Sequence, residues 1–250
     1  MNKQDATKKF ELLTNDTIEV FGRKLFRIKS LISFGIVNEG ELGGYIEKET
    51  NLSQSGNAWV SGDARVSGDA WVSGDARVSG DARVSGDARV FGNAEVFGNA
   101  RVSGDAWVSG DARVSGDARV FGNAEVFGNA RVFGNAEVFG NARVFGNARV
   151  SGDAWVSGDA WVSGDARVSG DARVSQTSDY IVFKNTWSSL RWFTYTKSNK
   201  MWKVGCFYGT GQELIEKAYK DSELSGKNYE AYVNLVHELE KIESGEVEVE

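Results

Sequence analysis

Hydrophobic and polar positions alternate with a fixed period of six residues from Gly56 to Ser175. Each unit reads G-[DN]-A-[RWE]-V-[SF], and twenty units follow one another without insertion or deletion. In the second unit, Ala64 and Val66 are two residues apart and therefore share one face of a strand, while the residue between them faces the other way. Glycine followed by Asp or Asn tolerates the positive φ of a turn. Each unit is predicted to be a short strand followed by a corner.

Strands this short are not stable alone, so the units are expected to stack and to bury the alanines and valines in one continuous core. The period of six with small and aliphatic inward positions resembles the hexapeptide-repeat left-handed parallel β-helix. This resemblance implies triangular coils of three hexads, which wind to the left. Twenty hexads then give six to seven coils, in a mainly β fold.

Residues 1–55 and 176–250 lie outside the repeat, and each is predicted to cover one end of it. The first is expected to be a β-rich cap with a hairpin between Thr17 and Phe34. Its later part resembles the segment that leads into the coils of long, regular hexapeptide-repeat proteins found in bacterial and prophage genomes. The resemblance rests on Gly43-Gly44-Tyr45-Ile46-Glu47, Asn51-Leu52-Ser53 and Gly56-Asn57-Ala58.

The C-terminal segment is predicted to be a small α+β unit. A capping box, Thr210 with Glu213, is expected to open a first helix over residues 212–221, and a second helix is expected over Asn228–Ile242. Before them lies a predicted three-stranded meander, over Asp179–Asn185, Leu190–Ser198 and Met201–Gly209.

Composition narrows the class of protein. The net charge of −6 argues against non-specific binding to nucleic acid or to an anionic membrane. No apolar run is long enough to span a membrane, and the polar start lacks a secretory h-region. The single cysteine, Cys206, excludes an intramolecular disulfide and favours a reducing compartment. We expect a cytoplasmic protein, in the host cell if it is encoded by a phage.

The outward strand position carries Arg in twelve hexads, Trp in five and Glu in three. One interpretation is a solvated surface, in which each aspartate neutralises the arginine two residues later. The other is a surface that binds a planar anionic ligand such as a nucleotide, with a helix N-terminus as a further anion site. The candidate ligand-binding residues are Arg65, Arg83, Arg101, Arg119, Trp71, Trp107, Thr210 and Gly211.

Phenylalanine replaces serine at seven corners, and asparagine then replaces the following aspartate. An exposed aromatic band of this kind is typical of an interface, and stacked asparagines can form amide ladders. The alternative is stacking within one chain, for example Phe121 on Phe139. Most proteins that resemble this β-helix are trimers, which implies a homotrimer. The candidate interface residues are Phe121, Phe127, Phe133, Phe139 and Phe145.

Catalysis is not expected. The acyltransferases that share the β-helix resemble one another in using a histidine base, and the related carbonic anhydrases use three histidines to hold zinc. The chain has one histidine, His237, inside a predicted helix. Cys206 lies in a strand pattern and is predicted to be a packed thiol. We therefore predict no catalytic residue, no metal site and no cofactor.

Three functions remain open. The first is a non-catalytic binding protein of phage or prophage origin, which antagonises host defence by sequestering a nucleotide-type signal or by docking on a defence protein. The second is a structural spacer or assembly module. The third, which the absence of histidine from the repeat disfavours most, is an acyltransferase-like enzyme.

Overall fold

A computed structural model describes residues 8–246 of the chain. The first seven residues of the predicted N-terminal cap and the last four of the C-terminal unit lie outside this range. The described chain is mainly β and forms a parallel β-solenoid of about seven turns, followed by an antiparallel sheet and two helices. The predicted solenoid of stacked hexads is thereby confirmed.

Three strands precede the repeat: β1 (Phe10–Val20), β2 (Arg23–Ser30) and β3 (Leu42–Ile46). Each hexad then contributes one strand of two residues that ends at its valine. These twenty strands are β4 (Trp59–Val60), β5 (Arg65–Val66), β6 (Trp71–Val72), β7 (Arg77–Val78), β8 (Arg83–Val84), β9 (Arg89–Val90), β10 (Glu95–Val96), β11 (Arg101–Val102), β12 (Trp107–Val108), β13 (Arg113–Val114), β14 (Arg119–Val120), β15 (Glu125–Val126), β16 (Arg131–Val132), β17 (Glu137–Val138), β18 (Arg143–Val144), β19 (Arg149–Val150), β20 (Trp155–Val156), β21 (Trp161–Val162), β22 (Arg167–Val168) and β23 (Arg173–Val174).

The hexad strands form three parallel sheets, because every third strand stacks on the one before it. One sheet runs from β4 to β22 and has seven strands, and a second runs from β6 to β21 and has six. The third runs from β5 to β23 and continues through β3 into β2 and β1, which makes ten strands. Residues 18 apart face each other, as Glu95 and Arg113 do. The predicted columns of outward side chains are confirmed.

The alanine and the valine of every hexad are fully buried and form one continuous core. The corner glycines all have positive φ, between 59° and 74°. Most of them also lie close to the next coil. A Cβ on Gly116 would stand 3.1 Å from the backbone nitrogen of Gly134, one coil further along. Glycine is therefore required at the corners both for conformation and for space.

Most backbone hydrogen bonds between coils run from an N–H to a carbonyl about 17 residues later, as from Arg65 to Ala82. One bond of each strand pair runs the other way, because the parallel pairing of Arg65 with Arg83 joins the N–H of Val84 to the carbonyl of Arg65. The first coil therefore has carbonyls that no earlier coil can satisfy. The N-terminal cap supplies a donor to each of its three alanine carbonyls. These donors are the ammonium of Lys9, the backbone N–H of Tyr45 and the side-chain amide of Asn51, which lie 2.9, 2.9 and 2.8 Å from the oxygens of Ala58, Ala64 and Ala70.

The last coil has the opposite need, because its N–H groups have no later coil to donate to. The C-terminal segment supplies oxygens instead. The hydroxyls of Thr177, Tyr180, Thr194 and Ser198 and the carboxylate of Asp179 accept from the N–H groups of Trp161, Ser163, Arg167, Arg173 and Ser175, at 3.1, 3.4, 2.9, 2.8 and 2.7 Å respectively. Burial opposes ionisation of Asp179, but the N–H donors of Ser175 and Gln176 outweigh it and lower the pKa of that carboxyl.

The predicted N-terminal hairpin is confirmed, with Phe21 and Gly22 in the left-handed region at its turn. The motifs that carry the resemblance to long hexapeptide-repeat proteins have structural roles at the first coil. Glu47 accepts from the N–H of Gly68 at 2.6 Å, and the buried Asn51 caps the first coil. Because β3 pairs in parallel with β5, coil stacking begins at Tyr45, before the regular repeat does.

The C-terminal sheet has four strands where the sequence predicted three: β24 (Tyr180–Lys184), β25 (Trp192–Thr196), β26 (Met201–Val204) and β27 (Phe207–Gly209). The segment Met201–Gly209 is a hairpin, because Gly205 has a φ of 57° and reverses the chain. Cys206 lies in this turn and is exposed, so its prediction as a packed thiol was wrong.

Two helices complete the chain, α1 (Gly211–Asp221) and α2 (Glu223–Ser244), and pack against the four-stranded sheet. The capping box of Thr210 and Glu213 is confirmed. The second helix begins five residues earlier than predicted, because the Ser222 side chain caps it by accepting from the N–H of Ser225. No helix within residues 8–246 is long and apolar enough to cross a membrane.

Substitutions at Gly116 and Gly164 allow the cost of backbone conformation to be measured separately from the cost of crowding between coils. Gly116 and Gly164 both have positive φ, but a Cβ on Gly164 would meet no atom within 4 Å. We expect Gly164→Ala to cost about 1 kcal/mol from conformation alone. Gly116→Ala should cost more, because the coils must also move apart. Urea unfolding of both variants measures the difference, and equal costs would show that coil spacing does not depend on the glycine.

Lys9 gives the N-terminal cap a pH dependence. Its side chain is buried, and burial lowers the pKa of Lys9 from 10.5 to about 8. Between these two values the folded chain binds fewer protons than the unfolded chain, so the Lys9 contribution to the free energy of unfolding rises with pH. We expect the stability difference between wild type and Lys9→Met to grow in favour of wild type from about pH 8 to 10.5. Lys8→Met, at an exposed neighbouring lysine, should leave this dependence intact.

Candidate functional site

The four candidate arginines, Arg65, Arg83, Arg101 and Arg119, stack in one column of the ten-stranded sheet. The first carboxylate in this outward column is Glu137, which pairs with Arg119 at 3.2 Å. Comparable pairs join Arg113 with Glu95 and Arg143 with Glu125. Within residues 8–246 no salt bridge joins the aspartate and the arginine of the same hexad. The expected neutralisation inside each hexad was therefore wrong, and the repeat's ion pairs form between coils.

Trp71 and Trp107 lie on the six-stranded sheet, away from that arginine column, with Arg89 between them. The guanidinium of Arg89 lies 5.4 Å from the centre of the Trp107 ring. The same contact joins Arg143 to Trp161 and Arg173 to Trp155, so the predicted cation–π pairing is confirmed. The candidate arginines and tryptophans do not, however, converge on one site.

Thr210 and Gly211 lie at the start of α1, in the C-terminal unit. The Glu213 carboxylate accepts from the Thr210 N–H at 2.8 Å and from its hydroxyl at 3.0 Å. These hydrogen bonds lower the pKa of Glu213. Since this helix end already holds a carboxylate of its own chain, an external anion would compete with it.

The phenylalanine corners form stacks wherever two lie one coil apart. Phe121 lies on Phe139 and Phe127 on Phe145, each at 5.0 Å between ring centres and nearly parallel. Phe133 has serines on the coils to either side and remains 39% exposed. The asparagines beside the rings form the predicted amide ladder, for example from Asn123 to Asn141 at 3.0 Å. Stacking within one chain is thus confirmed, while the oligomer contact stays a prediction.

A cleft of about 500 Å³ lies where the C-terminal unit meets the last coils of the solenoid. Three structural elements build it. Two neighbouring strands of the seven-stranded sheet contribute guanidinium groups, the adjacent corner column contributes a phenyl ring and two hydroxyls, and the hairpin β26–β27 closes one side. Its lining residues are Arg149, Arg167, Phe133, Ser151, Ser169, Lys203, Gly205 and Cys206.

The position of the hairpin is set by Arg167. Its backbone N–H donates to the hydroxyl of Thr194 at 2.9 Å, and its guanidinium donates to the carbonyl of Gly205 at 3.2 Å. These two bonds hold β25 and the β26–β27 turn against the last coil. Lys203 and the exposed Cys206 thereby reach the column of repeat arginines.

The residues that line this cleft give it a positive charge. Three cationic side chains line it, and none of its lining residues is acidic. Ser169 also lines it, and the N–H of Ser169 has no acceptor among residues 8–246. Guanidinium groups bind phosphate and carboxylate in pairs of hydrogen bonds, and an exposed phenyl ring accepts a planar group by stacking. The cleft can therefore hold an anion that carries a ring.

The sequence placed Arg149 and Arg167 in one column but gave no reason to prefer them over the other arginines. The repeat sequence does not indicate which sheet of the solenoid β26 contacts. The position of Lys203 beside these two arginines could therefore not be predicted. Among residues 8–246, no three His, Cys, Asp or Glu side chains group as metal ligands would.

The fold and this cleft define a parallel β-solenoid protein with closed ends and a basic cleft beside the C-terminal unit. Its repeat is similar to a family described as the YdcK beta solenoid repeat. The family model matches nine overlapping or neighbouring segments, residues 58–74, 70–86, 76–92, 82–96, 94–110, 112–126, 142–158, 148–164 and 160–176. No curated protein gave a significant match to the chain.

Proposed function

We propose that the chain is a non-catalytic binding protein that holds a nucleotide-type ligand in the cleft between the last coils and the C-terminal unit. The observation that carries the proposal is the meeting of Arg149, Arg167 and Lys203 around a space without a carboxylate in its lining. The volume of about 500 Å³ lies in the range of small-ligand sites. A phosphate would sit between the cations, and a base would stack on Phe133.

The biological role follows from the resemblance to repeat proteins of prophage genomes. We propose that the protein sequesters a nucleotide signal of a host defence system, in the reducing cytoplasm that an exposed thiol at Cys206 suits. Docking on a defence protein is the alternative within the same role. On the same resemblance, the coils belong to the hexapeptide-repeat class, wind to the left and assemble as a trimer.

A structural spacer is the second candidate function. It is favoured by the two closed ends, which leave the solenoid as a rigid body of defined length, and by the ion pairs between coils on its faces. A spacer would bind no small anion, so the same binding experiment separates the two functions.

Arginine variants in the cleft and outside it test the binding proposal. We expect cyclic dinucleotides or ATP to bind the full chain with one ligand per cleft, as seen by native mass spectrometry and calorimetry. Arg149→Gln and Lys203→Gln should each weaken binding about 10-fold or more, because each removes a charge-assisted hydrogen bond.

Arg101→Gln is the matched control, since it removes an exposed arginine from a hexad of the candidate column on another sheet. It should bind like wild type. Loss of binding in Arg101→Gln with Arg149→Gln unaffected would move the site to the arginine column. A chain that binds none of these nucleotides would leave the spacer as the better account.

A further inference from the structure

The outer face of α2 carries an apolar stripe along its whole length. Four of its side chains are large and between 41% and 61% exposed. With one alanine, these side chains occupy five helix positions that lie within about 80° of one another around the helix axis. The 22 residues of α2 extend for about 33 Å. We call this set the α2 stripe: Leu224, Ala231, Leu235, Leu239 and Ile242.

The inner face of the same helix is already covered. Tyr229, Val233 and Val236 are buried against the four-stranded sheet and α1. A helix that is apolar on two opposite faces is normally packed on both. Within residues 8–246 nothing covers the α2 stripe, and an exposed apolar surface of this kind marks an interaction site.

The sequence of the stripe fits a second copy of itself in antiparallel orientation. If two α2 stripes pack antiparallel with the centre of the contact level with residue 233 along the helix axis, Leu224 of each copy lies opposite Ile242 of the other. Ala231 then lies opposite Leu235 of the second copy, so that a small residue faces a large one. Such pairing lets helix axes approach within about 8–10 Å. The contact is isologous, as a two-fold interface requires.

The stripe also has a place for the opposing leucine. A cleft of about 290 Å³ opens beside its middle, lined by Trp187, Asn228, Ala231, Tyr232 and Leu235. Trp187 is 71% exposed and forms the outer wall. Leu235 of the second copy, which lies opposite Ala231, is the side chain that can enter this cleft as a knob enters a hole.

The charges that flank the stripe are complementary in the same register. Lys227 and Glu238 lie on the same side of the stripe, and the antiparallel crossing brings Lys227 of each copy beside Glu238 of the other. In the single chain Lys227 pairs with Glu223 at 3.2 Å and Glu238 pairs with Lys241 at 2.7 Å. Both pairs are exposed, so exchanging them for pairs between copies costs little.

From these features we propose that α2 is a homodimer interface, in which the α2 stripes of two copies pack antiparallel about a two-fold axis. The proposal is independent of the ligand cleft, which lies on the solenoid side of the C-terminal unit. It is also independent of the phenylalanine corners, which belong to the repeat.

Light scattering and sedimentation equilibrium of the full chain test the interface. Leu235→Glu should halve the mass of the particle, because it places a charge in the centre of the contact. Leu42→Glu makes the same substitution at a comparably exposed leucine of the N-terminal cap and should leave the mass unchanged. An unchanged mass for Leu235→Glu, or loss of the assembly in Leu42→Glu alone, would overturn the proposal.

A charge exchange tests the antiparallel register, with circular dichroism to show that each variant is folded. Lys227→Glu and Glu238→Lys should each weaken dimerisation about 10-fold at low salt, because each sets like charges against one another twice in the dimer. The double variant should recover affinity close to wild type. If both single variants dimerise weakly and the double variant does not recover affinity, the antiparallel arrangement is overturned.

Discussion

The prevailing direction of the hydrogen bonds between coils constrains both ends of the solenoid. The N–H groups of Arg65 and Ser67 donate toward the C-terminal end, and the carbonyls of Ala64 and Val66 accept from the N-terminal side, as their equivalents do in the other hexads. The first coil therefore needs mainly donors, and the last coil needs mainly acceptors. The caps answer accordingly, with an ammonium and an amide at the first coil, and with hydroxyls and a carboxylate at the last. Unsatisfied buried backbone groups would otherwise destabilise both ends.

This asymmetry also explains where the basic cleft forms. The oxygen of Thr194 is needed at the last coil, and β25 is therefore held against Arg167. The rest of the antiparallel sheet follows β25, and Lys203 arrives beside two guanidinium groups that the repeat had already placed one coil apart. A structural requirement of the ladder thus brings together a set of charges that neither unit holds by itself.

The repeat could be predicted almost completely from the sequence, because Ala64 and its equivalents fix the inward face and a period of 18 fixes the columns. The caps could be predicted only in outline. Gly205 divides a segment that reads as one strand, and this single turn changed the strand number and exposed Cys206. The acceptors at the last coil come mostly from single hydroxyls at irregular spacing. The sequence therefore contains no pattern that predicts how the C-terminal unit contacts the last coil, or that a cleft forms there.

Because the two caps contact only the first and last coils, the number of coils between them can change. Each coil presents to its neighbour the same carbonyls and N–H groups, and only the first and last coils meet the caps. Gain or loss of 18 residues by recombination between near-identical gene segments would therefore preserve every cap contact and change only the height of the molecule. Related chains can therefore differ in length by whole coils. Each coil gained or lost changes the distance between the two caps by about 4.8 Å.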